Sequence, residues 1–435
     1  MKKIRYKTEN SRDEVRNLSL HGKIPEKVNG IPEIIQKVKE NGDSALLELT
    51  RLYDGVNFPN GIIQITKEDL ETGYNSLNDK IIDALTLSAK RIQEFHQLQL
   101  PQTISLMKKQ SREISYVPSP LERVGLYVPG GRGAYPSTVL MNAIPAKVAG
   151  VREIILCTPP SSDGKVPDSV LVAASISGVD KIFSVGGAQS IAAMAFGTDT
   201  IPKVDKIVGP GNAYVLEAKR LVSNVVAIDK DAGPSEIVIL IDETTPIDWA
   251  VADLFAQAEH DPDAMAIAVC LSEDVSVSVE KEIENQIIYQ DRKEVIQKSL
   301  SSRGAIIQVD SIEDAIQVID DIAPEHLQIM IENSAHIAER VLSAGSIFYG
   351  SWSSAVFGDY IVGINHVLPT GSSARFSSPL SVLDFIKWTN VVSLDSEYAS
   401  SLVESAALLA ETEGLSAHAR ALRIRLSKDA KTISN

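Results

Sequence analysis

Only two cysteines occur in the 435 residues, too few for a disulfide framework or a thiolate zinc site. Any metal must therefore be held by His, Asp, Glu or Gln, and seven histidines make that search short. Cys157 ends the apolar run 153–156 and Cys270 ends 266–269, so both read as buried thiols in strands with nothing nearby to lower a thiol pKa. Basic charge is also scarce. Against 57 acidic side chains stand 42 basic ones, a formal charge of −15, which repels nucleic-acid phosphates and anionic lipid and excludes both as expected partners. No run of 18 apolar residues is present, which argues against a membrane-spanning helix. The opening MKKIRYKTENSRDEV has neither an apolar core nor a small-residue cleavage site, so it does not read as a signal peptide and the expected location is the cytoplasm.

What remains is a globular composition, 44% apolar and 23% charged, long enough for two to three domains at roughly 150 residues each. Residues 1–100 carry apolar positions at helical spacing. From about 113 short β-branched runs alternate with amphipathic stretches. Strands are expected at Val124–Val128, Glu153–Cys157, Lys181–Val185, Lys206–Val208, Val225–Asp229 and Glu236–Ile241, with helices at Ser137–Ala149, Asp168–Ile176, Ala188–Phe196 and Ala213–Val222. That alternation implies right-handed crossovers and a parallel sheet with helices on its faces. A second block follows: a helix opening at Thr245-Pro246 with a capping hydroxyl, strands at Met265–Cys270, Ala305–Val309 and Leu327–Ile331, and a helix over Ile312–Ile322. The fold class is α/β with two Rossmann-like parallel-sheet domains. Their expected limits are 26–123 plus 236–380 for the first, carrying most of the metal and catalytic residues, and 124–235 for the second. Residues 1–25 and 381–435 are expected as helical extensions, the last with no strand of its own beyond Val391-Val392-Ser393.

Ligands of open parallel sheets sit beyond the carboxyl ends of strands, and glycine-rich turns fall there: Gly130-Gly131-Arg132-Gly133, Gly186-Gly187-Ala188-Gln189 and Gly209-Pro210-Gly211-Asn212. None completes G-x-G-x-x-G, so a phosphate cradle and a tight strand-to-helix turn both stay open. Gln257 and His260, three apart at a helix end, project to one side and could grip one ion, or His260 simply closes the helix. Asp359, His366 and His418 lie in or just after glycine-containing segments and are chemically suited to a divalent metal, although spacing does not bring them together. Glu325 and His326 follow Pro324 and precede a strand. A carboxylate beside an imidazole suits proton transfer to or from an alcohol or water, the alternative being a solvated turn. His21, His96 and His336 read as structural.

Several blocks, in order, closely resemble the signature of histidinol dehydrogenases: YVPGG (127–131), GGAQ (186–189), GPGNA (209–213), AIDKDAGPSE (227–236), ADL (252–254) with QAEH (257–260), APEHL (323–327), NHVLPT (365–370) and EGLSAH (413–418). The resemblance implies an NAD-dependent oxidation of L-histidinol through L-histidinal to L-histidine, the last steps of histidine biosynthesis, with two NAD consumed. It implies one zinc held by Gln257, His260, Asp359 and His418, and Glu325 and His326 as catalytic residues. Substrate contacts would fall to Ser235, Gln257, His260, Glu325, Asp359, His366, Glu413 and His418, and NAD contacts to Tyr127, Gln189 and Asn212. It further implies an intertwined homodimer in which the C-terminal segment completes the partner's site. Competing expectations are a related dehydrogenase of another small primary alcohol, such as a sulfonated diol, a zinc hydrolase using Glu325, and a catalytically silent binding protein. Glu413 together with His366 favours histidinol over the diol.

Overall fold

The computed structural model describes residues 1–7, 9–20, 28–58, 60–109, 112–130, 133–230 and 233–426. His21, Gly131 and Arg132 lie outside the described residues. The chain divides into two units: Met1–Leu100 with Pro120–Phe385, and Pro101–Ser119 with Ile386 onward.

The first unit holds two all-parallel sheets. One has six strands in the order Lys2–Arg5, Ala305–Gln308, Met265–Cys270, Glu236–Ile241, His326–Ile329 and Ser346–Tyr349. Every residue of Glu236–Ile241 and Met265–Cys270 is buried, as expected for central parallel strands covered on both faces. Strand alternation splits these residues between two cores. Val238, Leu240, Ile267 and Val269 pack on one side with Ile316, Ile319 and Ile322; Ile237, Ile239, Ile241, Ala266 and Ala268 pack on the other with Val251, Leu254 and Phe255. Fully burying each large aliphatic side chain is worth about 1.5–3 kcal/mol, so the register of the central strands is strongly fixed.

The other sheet has five strands in the order Lys181–Ser184, Glu153–Thr158, Arg123–Tyr127, Lys206–Val208 and Ala227–Ile228. The expected strands and helices of both blocks are present to within a few residues at their ends. Glycine is required at one turn: Gly209 has φ +117°, and a Cβ there would collide with the Tyr127 carbonyl oxygen.

Four features differ from the sequence reading. Lys2–Arg5, charged except for buried Ile4, is an edge strand pairing with Ala305–Gln308 and not part of a helical extension. Helices Ile31–Tyr53, Lys67–Ser76 and Asp79–Gln97 pack on helices Gly187–Phe196, Asp168–Ser177 and Pro136–Ala149 of the five-stranded sheet, and Gln64 bridges its edge strand at Phe183. Amphipathic spacing shows that a helix buries a face but not which sheet receives it. Thr245 donates its hydroxyl to the Met330 carbonyl at 2.9 Å and does not cap the following helix. Finally, Ile386–Ser393 is a full strand, paired in a three-stranded sheet with the hairpin Ile104–Lys109 and Arg112–Pro120.

That sheet and helices Ser396–Thr412 and Ser416–Arg423 form the second unit. Tyr116 stacks on Trp388 with ring centroids 4.6 Å apart, and Arg112 pairs with Asp395 and Glu397. Among the described residues no helix is long and apolar enough to cross a membrane.

The N-terminal helix Glu9–Leu20 is held by charge. Arg12 and Arg16 reach the two oxygens of Asp321, a carboxylate only 4% exposed on the Ile312–Ile322 helix. Burial pushes the Asp321 carboxyl up, but the two guanidiniums outweigh it and hold it below its ordinary range. A depressed carboxyl stabilises the fold above the unfolded pKa, near 3.9, and that stability is lost as pH falls through the folded value. Asp321→Asn is therefore expected to lower the thermal midpoint at pH 7, and the gap to the native protein should close below about pH 4. Equal midpoint differences at both pH values, followed by circular dichroism, would show that the ion pair contributes nothing.

Candidate active site

The candidate site forms where the amino ends of two strands of the six-stranded sheet meet the carboxyl ends of the five-stranded sheet. A cavity of about 240 Å³ is lined by Ser235, Gln257, His260, Glu325, His326, Asp359 and His366, and across from them by Pro129, Tyr135, Thr138 and Pro210. The glycine-rich turns do lie at carboxyl ends, as expected. Two of the other cavity residues stand instead at amino ends: Ser235 immediately precedes Glu236–Ile241, and His326 opens His326–Ile329.

The approach to that second strand is locally strained. Ala323 closes the Ile312–Ile322 helix at φ +50°, a conformation that disfavours any side chain with a Cβ. Pro324 then prevents the helix from continuing and delivers Glu325 and His326 into the cavity wall. Parallel pairing sets His326 opposite Ile237, and Glu236 serves both side chains through its backbone. Its N–H donates to Glu325 Oε2 at 2.8 Å, and its carbonyl accepts from His326 Nδ1 at 3.0 Å. A carbonyl can only accept, so Nδ1 carries a proton and Nε2 is the nitrogen left for exchange.

His326 is 4% exposed and Glu325 6%. The imidazole lies 3.6 Å from Glu325 Oε2 through Nδ1 and 3.7 Å from Asp359 Oδ1 through Nε2. Burial disfavours the imidazolium, but the two carboxylates prevail and raise its pKa well above the ordinary histidine value. Burial likewise pushes Asp359 up, and the neighbouring His326 more than reverses this, leaving it below the usual carboxylate range. His366 Nδ1 donates to the Asp359 carbonyl at 2.9 Å and its Nε2 lies 3.4 Å from the Thr138 hydroxyl; burial lowers its pKa.

Gln257 and His260 come from the end of the Ile247–Ala258 helix, Gln257 buried and His260 exposed. Asp359 comes from the short Ala355–Tyr360 helix. Among the described residues no three His, Cys, Asp or Glu side chains group closely enough to hold a metal ion. His260 and Asp359 supply two such donors to the cavity, and the amide oxygen of Gln257 is a third of another type.

Other expected residues lie elsewhere. Glu413 caps the Ser396–Thr412 helix and His418 sits on Ser416–Arg423; both are exposed and belong to the second unit. Tyr127 ends its strand with its hydroxyl accepting from Gly187 N–H at 3.3 Å, Gln189 is buried in the first turn of Gly187–Phe196, and Asn212 caps Ala213–Val222. None of these three lines the cavity. A separate crevice of about 220 Å³, bounded by Pro129, Gly130, Thr158 and Pro159, opens at the same carboxyl edge. His96 is structural as expected, fully buried with Nδ1 on the Ile92 carbonyl. Cys157 and Cys270 are fully buried, and burial raises both thiols. Tyr135, Thr138 and Tyr360 were not singled out by the sequence. Isolated hydroxyls and rings at helix ends carry no spacing signal, and only the fold brings them to the wall.

The family model for histidinol dehydrogenase matches residues 21–426. The histidinol dehydrogenase of Clostridium acetobutylicum is 47% identical over 392 residues, 90% of each chain. That of Oceanobacillus iheyensis is 44% identical over 396 residues, 91% of this chain and 92% of its own. The crystal structure of histidinol dehydrogenase from Elizabethkingia anophelis superposes with a TM-score of 0.91 at 33% identity, covering 98% of both chains. With a family model matched over most of its length and relatives alike along nine-tenths of the chain or more, the chain belongs to the histidinol dehydrogenase family of oxidoreductases.

Proposed function

We propose that this protein is a zinc-dependent enzyme that oxidises L-histidinol through L-histidinal to L-histidine with two equivalents of NAD. The observation that carries the reading is the convergence of a buried imidazole–carboxylate pair with Gln257, His260 and Asp359 in one cavity. Amide oxygen, imidazole and carboxylate are donors that suit zinc. One chain's first unit supplies three of them, and His418 of the partner subunit is assigned as the fourth. That assignment makes the enzyme a homodimer with shared sites and explains an exposed histidine on a polar helix. When bound, zinc would serve mainly as a template that holds the substrate's imidazole and amine and so orients its alcohol. NAD would accept one hydride in each oxidation, with Tyr127, Gln189 and Asn212 as its contacts. The crevice beside Gly130 supports a ligand at that sheet edge.

The protein's own residues account for the proton movements. In the first oxidation the neutral form of His326, with its proton on Nδ1, removes the hydroxyl proton through Nε2 as a hydride leaves the adjacent carbon, giving the aldehyde. The imidazolium so formed is flanked by Glu325 and Asp359, and it returns its proton to solvent before the second step. Glu325 then takes a proton from water as the oxygen adds to the aldehyde carbon. His326 next deprotonates the hydrate while a second hydride leaves, giving the carboxylate of histidine. Ser235, His366 and Glu413 are assigned to hold the substrate.

Three measurements test this reading. Purified protein supplied with zinc should reduce two NAD per histidinol consumed; a ratio of one, or no turnover, would remove histidinol as substrate. His326→Asn should lose about 10²–10⁴-fold in turnover while keeping its zinc, whereas loss of metal would make His326 a ligand instead of a base. Mixing inactive His260→Ala and His418→Ala proteins under subunit exchange should restore activity, and no recovery despite exchange would refute the shared site.

A further inference from the structure

Asp253 lies one helical turn before Gln257 on Ile247–Ala258 and does not line the main cavity. It bounds a small recess behind that cavity together with Gln257, His260, Ala355 and Asp359. Its two oxygens accept separate hydrogen bonds, one from Gln328 Nε2 at 2.6 Å and one from Ser354 Oγ at 2.7 Å. Each donor in turn holds the start of the helix that carries Asp359. Gln328 Oε1 accepts from Ala355 N–H at 3.2 Å, and Ser354 Oγ accepts from Val356 N–H at 3.3 Å.

The polarity of this network follows from the carboxylate. An ionised carboxylate only accepts, so the Gln328 amide must give it N–H and turn its oxygen to Ala355. The Ser354 hydroxyl must likewise give it a proton and turn a lone pair to Val356. Gln328 is fully buried and stands two residues after His326, on the same face of the same strand. Ala355 and Asp359 are four apart on one helix, so fixing the first fixes the second. Asp253 thereby ties together the helix of Gln257 and His260, the helix of Asp359 and the strand of His326.

We infer that Asp253, acting through Gln328 and Ser354, is a positioning residue that sets Gln257, His260 and Asp359 at the mutual spacing one divalent cation requires. The inference rests on the metal site proposed above. Groups that orient metal ligands commonly alter affinity by about 10- to 100-fold when replaced.

The test is the zinc dissociation constant of the metal-stripped full-length protein, measured against a competing chromophoric chelator, with the thermal midpoint recorded on each sample. Asp253→Asn and Ser354→Ala should each weaken zinc binding by about 10- to 100-fold. In Asp253→Asn one of the two acceptors becomes a donor, so either the Gln328 amide meets another N–H or the Ser354 hydroxyl must turn its own proton away. Pairing it with Gln328→Glu reverses the one bond between positions 253 and 328, leaves those from Ser354 and Ala355 in their original direction, and should recover most of the affinity at unchanged net charge. Ile239→Val, a core change in the neighbouring strand, should lower the midpoint and leave zinc affinity unaltered. Native affinity in Ser354→Ala, or in a folded Asp253→Asn, overturns the inference; if Asp253→Asn does not fold, half-buried Ser354→Ala decides alone. Should the native protein bind zinc no better than His260→Ala, the proposed metal site itself fails, an outcome distinct from failure of the positioning role.

Discussion

One backbone residue fixes the geometry on which the site depends. Glu236 gives its N–H to Glu325 and takes the Nδ1 proton of His326 on its carbonyl, so the carboxylate and imidazole are set by the parallel register of two strands. That register is held in turn by strands buried on both faces. A slip by one residue would turn every core side chain to the opposite face and would carry His326 away from Asp359. The placement of the proposed acid–base pair is therefore a consequence of core packing, and it does not depend on a flexible loop.

The Glu236 side chain extends the same arrangement. Its carboxyl is almost wholly buried and accepts from Gly371 N–H, with Arg303 3.5 Å away. Burial raises it to about 7; Arg303 opposes the rise and nearby Glu325 adds to it. Arg303 also donates to the Asp263 carbonyl at 2.8 Å, on the turn that follows His260. The strand beneath the acid–base pair and the turn beyond a proposed metal ligand thus share one buried cation. One turn before Gln257, Asp253 joins the Ile247–Ala258 helix to the one bearing Asp359 through Ser354. Two polar networks adjoin residues of the cavity wall, and both are anchored in the central strands or the helix packed on them.

Much of this architecture was legible in the sequence because the relevant patterns are local. Short β-branched apolar runs such as EIVILI and MAIAVC read as covered strands by their length and composition, and Pro324 after an amphipathic helix marks where that helix must stop. Helical spacing was legible within residues 1–100, but where those helices pack was not, since an amphipathic face is indifferent to which sheet covers it. The edge strand Lys2–Arg5 escaped because only one of its residues is buried. The hairpin strands Ile104–Lys109 and Arg112–Pro120 escaped, and Ile386–Ser393 was read only over its last three residues, because strands with few buried residues lack a strict apolar alternation.

The candidate site divides along the same line. Residue chemistry, and the ordered motifs that resemble histidinol dehydrogenases, identified Ser235, Gln257, His260, Glu325, His326, Asp359 and His366 from the sequence alone. The scarcity of cysteine had already turned attention to imidazole, carboxylate and amide. Only the tertiary structure decided that these seven side chains share one cavity, that His326 holds its proton on Nδ1 against the Glu236 carbonyl, and that Asp253 and Gln328 support the elements around them. Those facts depend on strand register and on elements brought together from positions up to 228 residues apart. Spacing along a chain constrains neighbours within a turn or two; beyond that range, proximity is set by what the core can bury.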